Sequence, residues 1–157
     1  MLETRTITHE LKLSWCITAS AASMLILYLV LAYGYGQQLH ATFAITEDQR
    51  LILRTIFYGV AIIMLPMTNL IRFIQIRLNQ TMPGPASAKQ RYQITILVSM
   101  CLLDSVGLLG LLIFALGDGY NTLIILVGIA SLGVFLYRPK ASELLSIVEA
   151  LTAAKNQ

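Results

Sequence analysis

Apolar residues fall in four long runs along the chain, at about 14 to 36, 52 to 76, 94 to 116 and 120 to 138. A helix needs about 20 such residues to cross a hydrocarbon core of about 30 Å, so each run predicts a transmembrane helix. The polar segments between them differ in kind. Residues 37–49, QQLHATFAITEDQ, predict a loop of moderate length. Residues 79–93 open on NQTMPGPASAKQ, whose Pro, Gly and Ser content predicts a flexible linker dividing the chain into two hairpins. Gly117-Asp118-Gly119 leaves so little chain that the third and fourth helices must pack antiparallel. Beyond Tyr137-Arg138-Pro139-Lys140, the apolar residues Leu144, Ile147, Val148 and Leu151 recur three and four apart within residues 141–154. That spacing predicts a short amphipathic helix, capped by Ser142, that lies on the membrane surface or docks against the bundle or a partner. The fold expected is all-α: one membrane domain over residues 1–157, four transmembrane helices as two hairpins, and an amphipathic tail.

Composition agrees with the pattern. With 57% hydrophobic and 12% charged residues, the chain is too apolar for a soluble domain of 157 residues. The net charge of +3 is not spread as a nucleic-acid-binding face, since the eleven Lys and Arg sit around the ends of the apolar runs. Nine of them, Arg5, Lys12, Arg72, Arg77, Lys89, Arg91, Arg138, Lys140 and Lys155, fall on one side, and only Arg50 and Arg54 on the other. The positive-inside rule then places both termini and the second loop in the cytoplasm, as in a bacterial inner membrane. Trp15, Phe73, Tyr92 and Tyr137 mark the inner interface, and Tyr33, Tyr35, Phe57 and Tyr120 the outer one. The first run is too long for a signal-peptide core, and Glu3 and Glu10 precede it, so it is expected to be a retained helix.

Chemistry enters with one residue. Asp104 is the eleventh of 23 residues in the third run, near the bilayer midplane, where an ionised carboxylate costs roughly 2.5–3.5 kcal/mol. It is expected to face protein or water, as the polar centre of a helix seam. Ser23, or Ser20, lies at a depth from which a hydroxyl can donate to it, and Asn69 follows the helix-breaking Pro66 in the second run. Arg72 approaches the same depth only if the second helix runs on to about Leu78, and the expectation is that it merely anchors the interface. Gly107 and Gly110 in the third run, with Gly128 and Ser131 in the fourth, predict close packing of the enforced hairpin through small residues. Cys16 and Cys101 sit inside apolar runs and are expected as small core residues.

No enzyme is legible. The apolar runs hold no paired carboxylates and no histidines for haem, and neither Gly-x-Ser-x-Gly nor His-Glu-x-x-His occurs. His9 and His40 flank the first run and fall on opposite sides of the membrane, so they cannot share a metal; no metal or cofactor is expected. His40, Glu47 and Asp48 read as a solvated loop. The stretch Met100 to Lys140, with an acid and a Gly110-Leu111 step before a short turn and an Arg138-Pro139 stop, resembles small four-helix bacterial inner-membrane proteins. The resemblance implies a membrane setting and supplies no activity. Two functions follow as expectations: a non-enzymatic accessory or structural subunit of an inner-membrane assembly, with other membrane subunits or further copies as partners in the lipid bilayer, and, as the alternative, a small proton- or cation-coupled transporter or channel using Asp104.

Overall fold

Each apolar run becomes a helix, and three of the helices outgrow their runs. The computed structural model describes residues 11–43, 45–81 and 87–155, which form five helices: α1 (Lys12–Phe43), α2 (Glu47–Thr81), α3 (Ala88–Ala115), α4 (Tyr120–Leu136) and α5 (Ala141–Lys155). The loop expected over 37–49 shrinks to residues 44–46, of which 44 lies outside the described residues. Nothing in QQLHATF can stop a helix, since it holds no Gly or Pro, and α1 runs on through it. On the other side, Glu47 and Asp48 occupy the first turn of α2, where carboxylates meet the positive end of the helix dipole.

The linker expected over 79–93 is likewise eroded from both ends. Helix α2 continues through Pro66 to Thr81, and α3 starts at Ala88, six residues before its apolar run. A capping box sets that start: Ser87 Oγ accepts from the Gln90 N–H at 3.3 Å, and Gln90 Oε1 accepts from the Ser87 N–H at 3.3 Å. Residues 82–86 lie outside the described residues. At the far end of α3 the chain turns as expected. Gly117 adopts φ 97°, the Gly117 N–H donates to Phe114 O at 3.0 Å and the Asp118 N–H to Ile113 O at 3.2 Å. This is a Schellman closure, and the left-handed residue it needs is the glycine.

Helix α3 is the axis of the bundle. Its buried residues include Ile96, Met100, Leu103, Val106, Ile113 and Phe114, and α1, α2 and α4 all pack on it. The expectation of two hairpins holds for α3 and α4 only. Helices α1 and α2 follow one another in the chain but hardly touch, each packing its buried stripe chiefly on α3 instead, with the Arg72 end of α2 meeting α4 and α5. The stripe of α1 is Ala21, Leu25, Tyr28 and Ala32, and that of α2 is Ala61, Thr68 and Arg72. Helix α3 offers α1 a close approach at Gly107, where a Cβ would run into the Leu25 side chain.

Helix α5 docks on the bundle. Leu144 and Ile147 are fully buried against α2 and α3, while Val148 stays exposed at the edge of the same face. The helix begins at Ala141, one residue ahead of the cap expected at Ser142. Three helices, α1 to α3, are long and apolar enough to cross a membrane, and α4 with α5, bent by 49° between them, make a fourth if taken as one span. The chain therefore has the make-up of an integral membrane protein.

Candidate functional site

Asp104 lies on α3 where that helix meets α1, and it is only half provided for. The Tyr28 hydroxyl donates to Asp104 Oδ2 at 2.8 Å. Asp104 Oδ1 is buried and has no hydrogen-bond partner among the described residues. Three other buried side-chain atoms share that condition, on Ser14, Gln75 and Gln93, and each lies within two turns of a helix end. Asp104 lies mid-helix, eleven residues or more from either end of α3. The carboxyl borders a cavity of about 370 Å³ between α1 and α3, with Cys16, Ser20 and Met24 on one wall and Leu97 and Cys101 on the other. Met24 and Leu97 are exposed, so the cavity is a groove on the flank of the bundle.

The three residues expected to form one polar centre are not brought together. Ser23 is exposed and its hydroxyl donates to Ala19 O at 2.8 Å, within its own helix. Asn69 lines a different cavity of about 390 Å³, with Arg72, Phe73, Tyr137, Lys140 and Glu143. Of the hydroxyls considered, only Ser20 borders the groove of Asp104. The group that does reach the carboxyl, Tyr28, is the residue that sequence reasoning missed. Its signal was its depth: Tyr28 is the tyrosine furthest from either end of an apolar run, away from both interfacial belts. Cys16 and Cys101 are free and exposed rather than core residues, because they fall on the groove stripe of their helices and not on the buried one.

The packing glycines divide in the same way. A Cβ at Gly107 would run into the Leu25 side chain, so this glycine serves α1 rather than the α3–α4 hairpin. At Gly110 a Cβ would stand 3.1 Å from Leu126 Cβ and 3.4 Å from Leu123 O, which is the close hairpin contact expected. Gly128 has open space at the Cβ position, and Ser131 is exposed. The small residues by which α4 meets the bundle are instead Ala130 and Gly133, the latter against Leu103. Gly128 lies on the opposite side of the helix, about 140–160° around from them, and Ser131 borders a cavity of about 200 Å³ with Ala22, Leu25 and Ile26 of α1.

Two further acids are paired with arginines, one at each end of the bundle. At the α3–α4 turn, Asp118 is 1% exposed and is held by a bidentate pair with Arg54, Nε donating to Oδ2 at 2.9 Å and Nη2 donating to Oδ1. Burial pushes the Asp118 carboxyl up, but hydrogen bonds from Arg54, Thr122 and the Gly119 N–H outweigh it and hold the group below its ordinary range. Arg50 donates to Gly117 O at 2.6 Å in the same turn. At the other end Arg72, expected as an interface anchor, is 4% exposed. Its guanidinium donates to Tyr137 O, to Arg138 O at 3.3 Å and to Glu143 Oε2 at 2.6 Å. Because α2 runs on past Leu78 to Thr81, Arg72 lies well inside the helix, where it reaches the unpaired carbonyls at the end of α4 and the first turn of α5. Tyr92 completes the cluster, its hydroxyl 3.2 Å from Glu143 Oε2 and accepting from the Lys140 N–H at 2.8 Å.

Among the described residues, no three His, Cys, Asp or Glu side chains come together in a way that could hold a metal ion. Glu47 and Asp48 belong to the first turn of α2, and the side chain of His40 lies outside the described residues. Comparison with known protein families, with curated proteins and with solved structures finds no match for this chain.

Proposed function

We propose that this chain is a non-enzymatic accessory or structural subunit of a bacterial inner-membrane assembly, crossing the membrane four times with both termini in the cytoplasm. The observation that carries the reading is the groove at Asp104, where the carboxyl borders the flank of the bundle and its buried Oδ1 has no partner among the described residues. The bundle centre is filled by Leu103, Val106 and Ile113 of α3 against Leu123, Leu126 and Ala130 of α4, which argues against an aqueous path through a single chain. A neighbouring helix can supply the missing donor, so the groove is an attachment point. The excess of Lys and Arg around one end of the helices supports the orientation.

Extraction in mild detergent after cross-linking in whole cells tests the subunit reading. The expected product is the chain joined to companion polypeptides or further copies, and a lone monomer in every condition overturns it. Proton or cation carriage at Asp104 is the second reading, favoured by the same free oxygen. Vesicles reconstituted with the wild type and Asp104→Asn decide that point, since equal flux removes the carboxyl as a carrier.

A further inference from the structure

The cavity beside Asp104 does not end there. A second cavity of about 480 Å³ continues along the same two helices, bounded by Leu31, Tyr35 and Gln38 of α1 and by Leu108, Leu112 and Ala115 of α3. The low-numbered ends of α1 and α3 line the first cavity together and the high-numbered ends the second, so the two helices run parallel. Their groove positions repeat every seven residues, Ile17, Met24, Leu31 and Gln38 on one side and Leu97, Asp104 and Leu111 on the other. From Leu97 to Ala115 the groove runs about 27 Å at 1.5 Å per residue, close to the thickness of a hydrocarbon core. Paired heptad stripes of that length form the seat of a third helix. An acyl chain fits the length but brings no donor for Asp104 Oδ1.

One helix of this chain carries the complement on its outward face. Gly110 meets Leu123 and Leu126, and Leu103 meets Gly133, so the antiparallel register of α3 and α4 puts Asp104 level with residues 130–132. Ser131 is exposed at that level, Gly128 one turn before it has open space, and Ile124, Leu132 and Phe135 extend the exposed face. Of the exposed hydroxyls of α1 near this depth, Ser23 is already donated to Ala19 O and Ser20 lines the wall of the groove itself. Copies related by an axis along the membrane normal keep every residue at its own depth.

Resting on the subunit reading, we propose that the partner is a second copy of this chain, whose α4 seats in the α1–α3 groove with Gly128 at the close approach and the Ser131 hydroxyl donating to the Asp104 carboxyl where it borders the groove. The contact is head-to-tail, because the groove and the α4 face are different surfaces. Copies therefore assemble into a ring or a row and not an isolated two-fold pair.

Native Cys101, one turn from Asp104 in the groove, makes the contact testable in the full chain. Phe135→Cys, which leaves Ser131 intact, is introduced with Cys16→Ala, and membranes are treated with a short bifunctional maleimide. The expected product is an adduct of two copies through positions 101 and 135, absent when Cys101 is also replaced by Ala. Gly128→Leu leaves the single chain undisturbed, since nothing lies within 4 Å of its Cβ position, and abolishes the adduct. Asp104→Leu lowers the adduct yield roughly three- to twentyfold, the range of single interhelical hydrogen bonds in membranes. No adduct from a chain that circular dichroism shows to be folded overturns the proposal, as does an adduct indifferent to Gly128→Leu. An adduct of Cys101 with a different polypeptide also overturns it, while leaving the subunit reading standing; a chain that joins to nothing ends both.

Discussion

Asp104 and Asp118 lie fourteen residues apart on one helical hairpin and are treated in opposite ways. Asp118 sits in the turn with both oxygens held by Arg54 and with further donors from Thr122 and the Gly119 backbone. Asp104, deeper in the bundle, has one phenol and one empty oxygen. A carboxylate that ties elements together is matched with a cation inside the chain, and Glu143, matched with Arg72, follows the same rule. The acid left short of partners is the one that opens on a groove. Asp118 and Glu143 belong to the fold, and Asp104 belongs to whatever the fold meets.

The largest effect that can break this contrast is expected at the inner end. Arg72→Met strips the cation from Glu143 and the donors from the end of α4, and costs about 3 kcal/mol of stability in a detergent melt. A loss near zero shows that the cluster is decoration and that pairing does not mark structural acids. Asp118→Ala comes next at about 2 kcal/mol, reduced because the Arg54 side chain it abandons is partly exposed and can turn to water.

Acid acts on the same residue from another direction. The Asp118 carboxyl is held below its ordinary range, so its contribution is complete above the unfolded value of about 3.9 and is lost as pH falls through the lower folded value. The melting temperature of the wild type is therefore expected to approach that of Asp118→Asn below about pH 4 and to exceed it at neutral pH. A constant gap between the two from neutral to strongly acid pH contradicts the assignment. Tyr28→Phe removes the only donor to Asp104 among the described residues and is expected to cost about 1 kcal/mol. The smallest effect belongs to Asp104→Asn, within about 0.5 kcal/mol for the isolated chain, because an amide keeps an acceptor for Tyr28 and strips nothing from a cation. A severe loss there makes Asp104 a structural acid like the others and erases the contrast.

Much of the fold was legible because each helix is announced by a long apolar run and each break by its own chemistry. The turn at Gly117 is forced by three residues, and the tail helix by the spacing of Leu144 and Ile147. Helix ends were harder, since QQLHATF and the segment before Thr81 are polar without being helix-breaking, and polarity alone looks like a loop. The site was legible at Asp104, whose isolation in an apolar run can be seen by eye. Its partner was not, because whether Tyr28 or Ser23 faces α3 depends on which side of α1 is buried, and α1 is apolar nearly all round. The same ambiguity hid the role of Gly128 and Ser131, which share the small size of Ala130 and Gly133 and differ only in the direction they point. Arg72 was misplaced for one reason: its helix was ended a turn or more too soon.

The most direct measurement is the mass of the particle that carries the chain, extracted in mild detergent and determined for the wild type, Asp118→Ala and Asp104→Leu. The expected result is a protein mass above the 17.3 kDa of one chain in the wild type and in folded Asp118→Ala, and dissociation toward a single chain in Asp104→Leu. A single chain in the wild type, or an assembly unmoved by Asp104→Leu, contradicts the assignment of Asp104 to the contact.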